Sequence, residues 1–523
     1  MPSLRSRSST ETISSAGNSM STSDNDLETK SQIRTLILDL GDVLFHWSAR
    51  SITAVAPSTL HSIILSPAWG ELECGRLDEK EAIRLIAEEL SLNPDTICEA
   101  LAQGRQTLRV DDTLVEQLKV IKKDMGENFK VYAMTNISPD DFKLLEKTMP
   151  DWSLFDGVFT SFEVGIIKPD LDYYKHVLRQ TGLTDPSSAI FVDDKVANVN
   201  AARSFGVRGI VFECPAKLIR QLRNQIFDPV TRAQQYMKAN ARNHVSQIEG
   251  GGEFRDVFSQ FLIHKVLHDP NIISLSPLGT SAVDIKAAIS KAEHEARTWN
   301  YFIGPPVGTT KTFPDDSDDT AYALLAFSPP ASSANIILDR FLANRHARDG
   351  LVQTYFCEKR PRVCSVVLVN VIRAFYHYGR GSDVRPEVQY VRSILENRGY
   401  VDGALEYFSA ESFLYFVSCL VEANPSAREI QTLRRPLVAA LRERVGRRED
   451  SFATAARVLA CQTVGVWAAS DVAYLKELQN VDGGWEVGWV CRYGRSKKRI
   501  GNRGVVTAFA IQALEQASRR RGV

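Results

Sequence analysis

Two groups of carboxylates and one cluster of basic residues are the parts of this chain equipped for chemistry. In the N-terminal half, Asp39 closes the run TLILDL, Thr135 and Asn136 close KVYAMTN, Lys168 lies in GIIKPD, and Asp193 with Asp194 close AIFVDD. Each falls at or near the end of an apolar, β-branched run, which is where ligands sit in an open parallel sheet. In the C-terminal half, FPDDSDDTAYALLAF brings Asp316, Asp318 and Asp319 together. Crowded carboxyl groups resist joint ionisation, so one can keep its proton and serve as an unusually strong acid in an apolar setting. The same residues also suit a solvated loop that caps the helix TAYALLAF. The basic cluster, CRYGRSKKRIGNRG, carries Arg492, Arg495, Lys497, Lys498, Arg499 and Arg503. It reads as a solvated face, as a nucleic-acid patch, or as a clamp for a diphosphate, which Arg suits by bidentate contact.

The elements that must position these residues divide the chain. Residues 1–31 are Ser/Thr-rich with almost no large apolar side chains, and read as a disordered tail. From 32 to about 215, strand-like runs (TLILDLGDVLF, KVYAMTN, AIFVDD, GIVFE) alternate with helical ones such as LVEQLKVIKK and LDYYKHVLRQ. That alternation predicts an α/β domain with a parallel sheet. A helix-rich insert at about 48–107 leaves directly after the first strand, where a cap over the sheet edge would emerge. From 216 to 523 the strand signal fades. Helical segments at 283–299, 428–444 and 469–479 are separated by Gly/aromatic turns, RGYVDGALEY and DGGWEVGW. Helix pairs with such turns predict an all-α toroid whose inner helices enclose a cavity.

Composition narrows the classes. With 523 residues the chain suits two or three domains, and 44% apolar with 24% charged residues is ordinary for a globular protein. Lys plus Arg (63) equals Asp plus Glu (63), so no bulk positive field points to nucleic acid. No apolar run reaches transmembrane length, and the tail has neither a secretory apolar core nor the acid-poor character of a transit peptide. Eight Cys without a C-x-x-C pair fit reduced thiols, and cytoplasm is the expected compartment.

In order and position, Asp39, Thr135, Lys168 and the Asp193/Asp194 pair resemble the four motifs of the haloacid dehalogenase (HAD)-like hydrolases, and GELECGRLDEKEA resembles that family's cap. The resemblance implies Asp39 as nucleophile. It also implies a Mg²⁺ ion held by Asp39, the Gly41 carbonyl, Asp193 and Asp194, with Asn198 behind them. Lys168 would balance the acidic cluster and Thr135 would hydrogen-bond a phosphoryl oxygen. One position departs from the family pattern. The acid that active phosphatases of this family carry two residues after the nucleophile is here Gly41, and Asp42 follows one residue later.

Asp316-Ser317-Asp318-Asp319-Thr320-Ala321 resembles the D-x-D-D-T-A motif of class II terpene cyclases, which implies Asp318 as the proton donor with Asp316 and Asp319 tuning it. DGGW, with Gln479 nearby, resembles the Gln-Trp loops of triterpene cyclases. Trp485 and Trp489 are the expected aromatic substrate contacts, since π-faces stabilise carbocations. RYG…IGNRG followed by TAFAIQAL is similar to a region of the fungal drimane-type sesquiterpene synthases, and so is the joining of a HAD-like domain to a class II cyclase domain. That family often reads D-x-D-T-T at the acid motif, where this chain has Asp319 for the first Thr.

The resemblance implies a multidomain enzyme in which an α/β HAD-like domain precedes an all-α terpene cyclase domain. Its substrate would be a prenyl diphosphate, farnesyl diphosphate in preference to the C20 homologue. Protonation would give a bicyclic drimane diphosphate, from which the HAD-like domain removes phosphate. The alternative is a prenyl phosphate phosphatase with a non-catalytic helical domain, and homo-oligomerisation stays open.

Overall fold

The computed structural model describes residues 32–277 and 281–521; the tail read as disordered, 1–31, lies outside them. Five parallel strands form the N-terminal sheet: β1 Thr35–Leu38, β2 Lys130–Thr135, β3 Gly157–Thr160, β4 Ala189–Asp193 and β5 Arg208–Val211, in the order β3-β2-β1-β4-β5. Leu36, Leu38, Val131, Ala133, Ile190 and Val192 fill one core cluster, while Ile37, Met134 and Phe191 belong to another. Burial on both faces explains why these strands read as unbroken apolar runs. Leu38 pairs with Ala133 on one side and Val192 on the other, so the C-terminal ends of β1, β2 and β4 lie side by side, β2 running two residues and β4 one residue further. The chain crosses from β1 to one side and later returns to the other, which makes the β1 end the switch point where an open sheet leaves a crevice.

A cap interrupts the sheet after β1. It leaves and returns through the antiparallel pair Phe45–His46 and Arg109–Val110. Between them lie four helices, Pro57–Leu65, Pro67–Glu73, Glu79–Leu90 and Pro94–Gln106, around a small core of Ile63, Ile83, Ile86 and Ile97. Asp78 and Asn93 start the last two by accepting from Glu81 N and Asp95 N.

The helix Pro215–Ile226 follows the expected boundary at 215/216, and its Leu218, Ile219, Leu222 and Ile226 pack into the sheet's core cluster. From its far side Asn224 Nδ2 reaches Gln479 O (3.0 Å) and Lys476 O (3.1 Å) in the C-terminal half.

There, six helices close a ring: α1 Val257–Leu267, α2 Ser317–Phe327, α3 Ser365–His377, α4 Ala410–Ala423, α5 Ser451–Val464 and α6 Arg503–Arg521. Each packs on the next, and α6 returns to α1. Inner helices are buried nearly all round: every described residue of α5 except Thr463 is buried. Outer helices such as Arg385–Glu396 bury one stripe (Glu387, Val388, Val391, Leu395).

Three local readings are corrected. The 428–444 segment is two helices, Arg428–Gln431 and Arg434–Arg444, because Pro436 can sit only in a helix's first turn. The 283–299 helix stops at His294. The basic run folds as a hairpin, Trp489–Arg492 with Arg499–Gly501, joined by Ser246–Ile248 and Glu253–Phe254. Among the described residues no helix is long and apolar enough to cross a membrane.

Candidate active sites

The acidic motif opens α2, and every carboxyl in it is buried: Asp316 and Asp318 are 7% exposed, Asp319 1%. Asp316 does cap the helix, accepting Asp319 N at 2.8 Å. The solvated-loop reading nevertheless fails, because bridges to Trp299 and Tyr355 and the bonds Ser317 N to Thr354 O (2.8 Å) and Ser317 Oγ to Gln353 O (2.6 Å) pin the turn inside.

Asp318 is held at both oxygens. Asn370 Nδ2 donates to Oδ1 at 2.8 Å, and Tyr407 Oη makes a short bond to Oδ2. The Asn370 amide is itself oriented by Arg373 Nη1, which donates to its Oδ1 at 2.8 Å. That guanidinium rests over the rings of Tyr322 and Phe416 (5.4 and 5.7 Å). Burial pushes the Asp318 carboxyl up to about 6, against the opposing pull of Tyr407 and Asn370. Asp316 is pushed up to about 7, again chiefly by burial. Asp319 lies well above the usual carboxyl range through burial and the charge of Asp316, and its buried Oδ2 has no hydrogen-bond partner among the described residues.

All three carboxyls line a cavity of about 490 Å³ walled by Phe258, Tyr301, Phe313, Tyr355, Tyr407 and Tyr493. Arg360, Arg362, Arg492 and Arg495 line the same cavity, together with Gly308, Thr309 and Thr310. Arg362 pairs with Glu406 at 3.3 Å, and Gly494 passes close beside it, where a Cβ would lie 3.1 Å from Arg362 Nη1.

At the sheet's switch point, Asp39 Oδ1 accepts from Leu40 N (2.7 Å) and pairs with Lys168 Nζ (2.9 Å). Lys168 also pairs with Asp193 Oδ2 at 2.7 Å, and its main chain is clasped by the Asn136 side chain (2.8 and 3.0 Å). Asn198 Nδ2 donates to Asp193 Oδ1 at 2.9 Å. Carboxylate oxygens of Asp39, Asp193 and Asp194 lie within 4.8 Å of one another, a hard donor set suited to a divalent cation. Burial, reinforced by Asp193, pushes Asp39 up to about 6 although Lys168 opposes it. Thr135 ends β2, buried beside them, and Gly41 lies exposed in the turn after Asp39.

The chain is 37% identical over 482 residues to drimenol cyclase drtB of Aspergillus calidoustus, covering 92% of this chain and 88% of that protein. The chain belongs to that family. Residues 230–378 match the sesquiterpene cyclase astC-like C-terminal domain. Over 177 residues the chain is 36% identical to sesquiterpene phosphatase astK of Aspergillus oryzae, spanning 34% of this chain and 88% of the phosphatase. A HAD family enzyme of Bacteroides thetaiotaomicron, solved with magnesium and inorganic phosphate, overlaps 35% of this chain and 94% of its own, at 21% identity and TM-score 0.29. The protein is thus an enzyme, a terpene cyclase of the drimenol cyclase family whose N-terminal domain is related to a sesquiterpene phosphatase.

Several expected contacts of this cyclase lie elsewhere. Trp485 is fully buried, its indole donating to Leu475 O at 2.7 Å, and it packs the core. Trp489 stacks under Arg499 (4.8 Å) and does not line the cavity. Arg499 pairs with Glu249 (2.6 Å), Arg503 with Asp482 (2.9 Å), and Lys497 and Lys498 are exposed outside the cavity lining. A hairpin sends neighbouring side chains to opposite faces, so only Arg492 and Arg495 of the six reach the cavity. Asn370, Arg373, Tyr407, Arg360 and Arg362 were missed. Polar residues inside the apolar helix SVVLVNVIRAFYH, and Tyr407 ending a Gly/aromatic turn, were the available signals.

Proposed function

We propose that this enzyme cyclises farnesyl diphosphate by protonation from Asp318 and that its HAD-like domain then removes phosphate from the bicyclic product. One observation carries the reading: a buried carboxyl raised to about 6, held at both oxygens, facing an aromatic-walled cavity. The proton leaves Asp318 for the distal alkene, whose electron pair forms the new C–H bond. The resulting carboxylate is stabilised by Asn370, Tyr407 and its position in the first turn of α2. Two rings close, and loss of a proton ends the cation. Tyr and Phe faces shelter positive charge that water would otherwise quench. Arg360, Arg362, Arg492 and Arg495 would grip the diphosphate.

In the HAD-like domain, Asp39, Asp193 and Asp194, with the Gly41 carbonyl, would hold Mg²⁺, which neutralises phosphate charge when bound. Asp39 attacks phosphorus while Lys168 keeps it aligned, and Thr135 hydrogen-bonds a phosphoryl oxygen. The names of the two fungal relatives support this pairing of activities.

The test is incubation of the full chain with farnesyl or geranylgeranyl diphosphate and Mg²⁺, with product analysis by mass spectrometry before and after added phosphatase. Bicyclic C15 products support the reading; dephosphorylated linear alcohol alone would favour a phosphatase with a non-catalytic toroid. Two further outcomes are expected. Because the donor must be protonated, kcat/KM for cyclisation should fall as pH rises through about 6, measured as a pH–rate profile. Arg362→Ala should weaken diphosphate binding by about 10- to 100-fold, read as a rise in KM with kcat less affected.

A further inference from the structure

The cap carries a carboxylic acid, Glu73, on the side that meets the strand ends of the sheet. Glu73 ends the cap helix Pro67–Glu73, and Trp69 Nε1, one turn earlier, donates to its Oε1 at 3.1 Å. Its main-chain carbonyl accepts from Ser161 Oγ at 2.6 Å, and Ser161 Oγ in turn accepts from Ile137 N at 2.9 Å, two residues beyond Thr135. Gly75 follows with φ 67°, and a Cβ there would lie 3.1 Å from Phe162, so the cap sits directly on the segment that leads to Lys168. Arg76 Nη2 donates to Gly165 O (2.6 Å), and Arg105 bridges Glu79 of the cap to Asp141 beyond β2 (2.5 and 2.7 Å). Charged groups acting on the Glu73 carboxyl include Lys195, Lys168 and Asp141, which surround the strand ends. Burial pushes that carboxyl above its ordinary value. Asp42, by contrast, is exposed.

We propose that Glu73 is the proton donor to the departing alcohol in the HAD-like domain, replacing the acid that position 41 lacks; this rests on the phosphatase reading above. When Asp39 attacks phosphorus, the P–O bond to the carbinol oxygen breaks, that oxygen keeps the electron pair, and the Glu73 proton passes to it. Neutral alcohol leaves. Water then attacks the aspartyl phosphate, its protons leaving with the phosphate; the Asp39–phosphorus bond breaks to release inorganic phosphate, and Glu73 regains its proton from solvent.

An alkoxide leaves poorly without a proton, whereas a phosphate monoester departs as a stable anion when a diphosphate is cut between its phosphorus atoms. Glu73 therefore matters for the last phosphate and little for the first. The full-length enzyme with Mg²⁺ is assayed on decyl monophosphate, an alkyl ester, and on p-nitrophenyl phosphate, whose leaving group needs no acid. Glu73→Gln should lower decyl phosphate hydrolysis about 100-fold or more, with p-nitrophenyl phosphate cleavage little changed, which also reports correct folding. From bicyclic diphosphate, the same variant should stall at monophosphate. Asp42→Asn should behave as wild type. Equal loss on both esters, no loss on either, or a stall in Asp42→Asn instead would overturn the assignment. Wild-type enzyme that cleaves neither ester would overturn the phosphatase reading itself, and this proposal with it.

Discussion

Asp318→Asn is expected to abolish every bicyclic product from farnesyl diphosphate while leaving phosphate release in the N-terminal domain intact. The amide has nearly the carboxyl's shape, so Tyr407 and Asn370 keep a partner and the ring of helices stays closed. What it cannot do is give up a proton to an alkene. General acids usually contribute about 10²–10⁴-fold, but here the reaction begins with the proton, so turnover should fall below detection by gas chromatography–mass spectrometry. Asp318 is buried with a raised pKa, so a neutral amide there should cost little stability, and an unchanged melting temperature separates chemistry from misfolding. Surviving cyclisation in a folded variant would remove Asp318 as donor and turn attention to Asp319, whose own carboxyl burial pushes well above the usual range.

Asp39→Asn should do the reverse. Bicyclic diphosphate forms at the wild-type rate and accumulates, because the attacking oxygen is gone; loss of an essential nucleophile costs about 10⁴-fold or more. Phosphorus NMR on the reaction mixture distinguishes diphosphate, monophosphate and free phosphate. Asp39 also anchors the ammonium of Lys168 at 2.9 Å, but Lys168 keeps Asp193 at 2.7 Å, so the site should hold its shape. Free alcohol made by the purified variant would place phosphate removal somewhere other than the switch point of the sheet.

Asp39, Thr135, Lys168 and the Asp193/Asp194 pair were legible because each sits at a fixed place on a strand end or the loop beside it. Parallel pairing of β1 with β2 and β4 then leaves little freedom over where those ends meet. The acid motif was legible for a similar reason, since three carboxyls on one helix turn are neighbours whatever the rest does. The proposed diphosphate grip was not. Six basic residues in one run invited a single site, yet hairpin pairing turned four away and left Arg492 and Arg495 beside Arg360 and Arg362, more than a hundred residues distant in the chain.

By itself, the amino-acid order determined which segments become strands and helices and which carboxyls are crowded, because periodicity and local spacing act over a few residues. Only the tertiary structure decided that Asp318 meets Asn370 and Tyr407, that Trp485 is packing while Phe258 and Tyr355 wall the cavity, and that the cap helix ending at Glu73 rests on Ser161 beside the sheet's strand ends. Those outcomes depend on which helix faces inward and what lies opposite. Burial and long-range pairing set them, and neither is written in any one stretch of sequence.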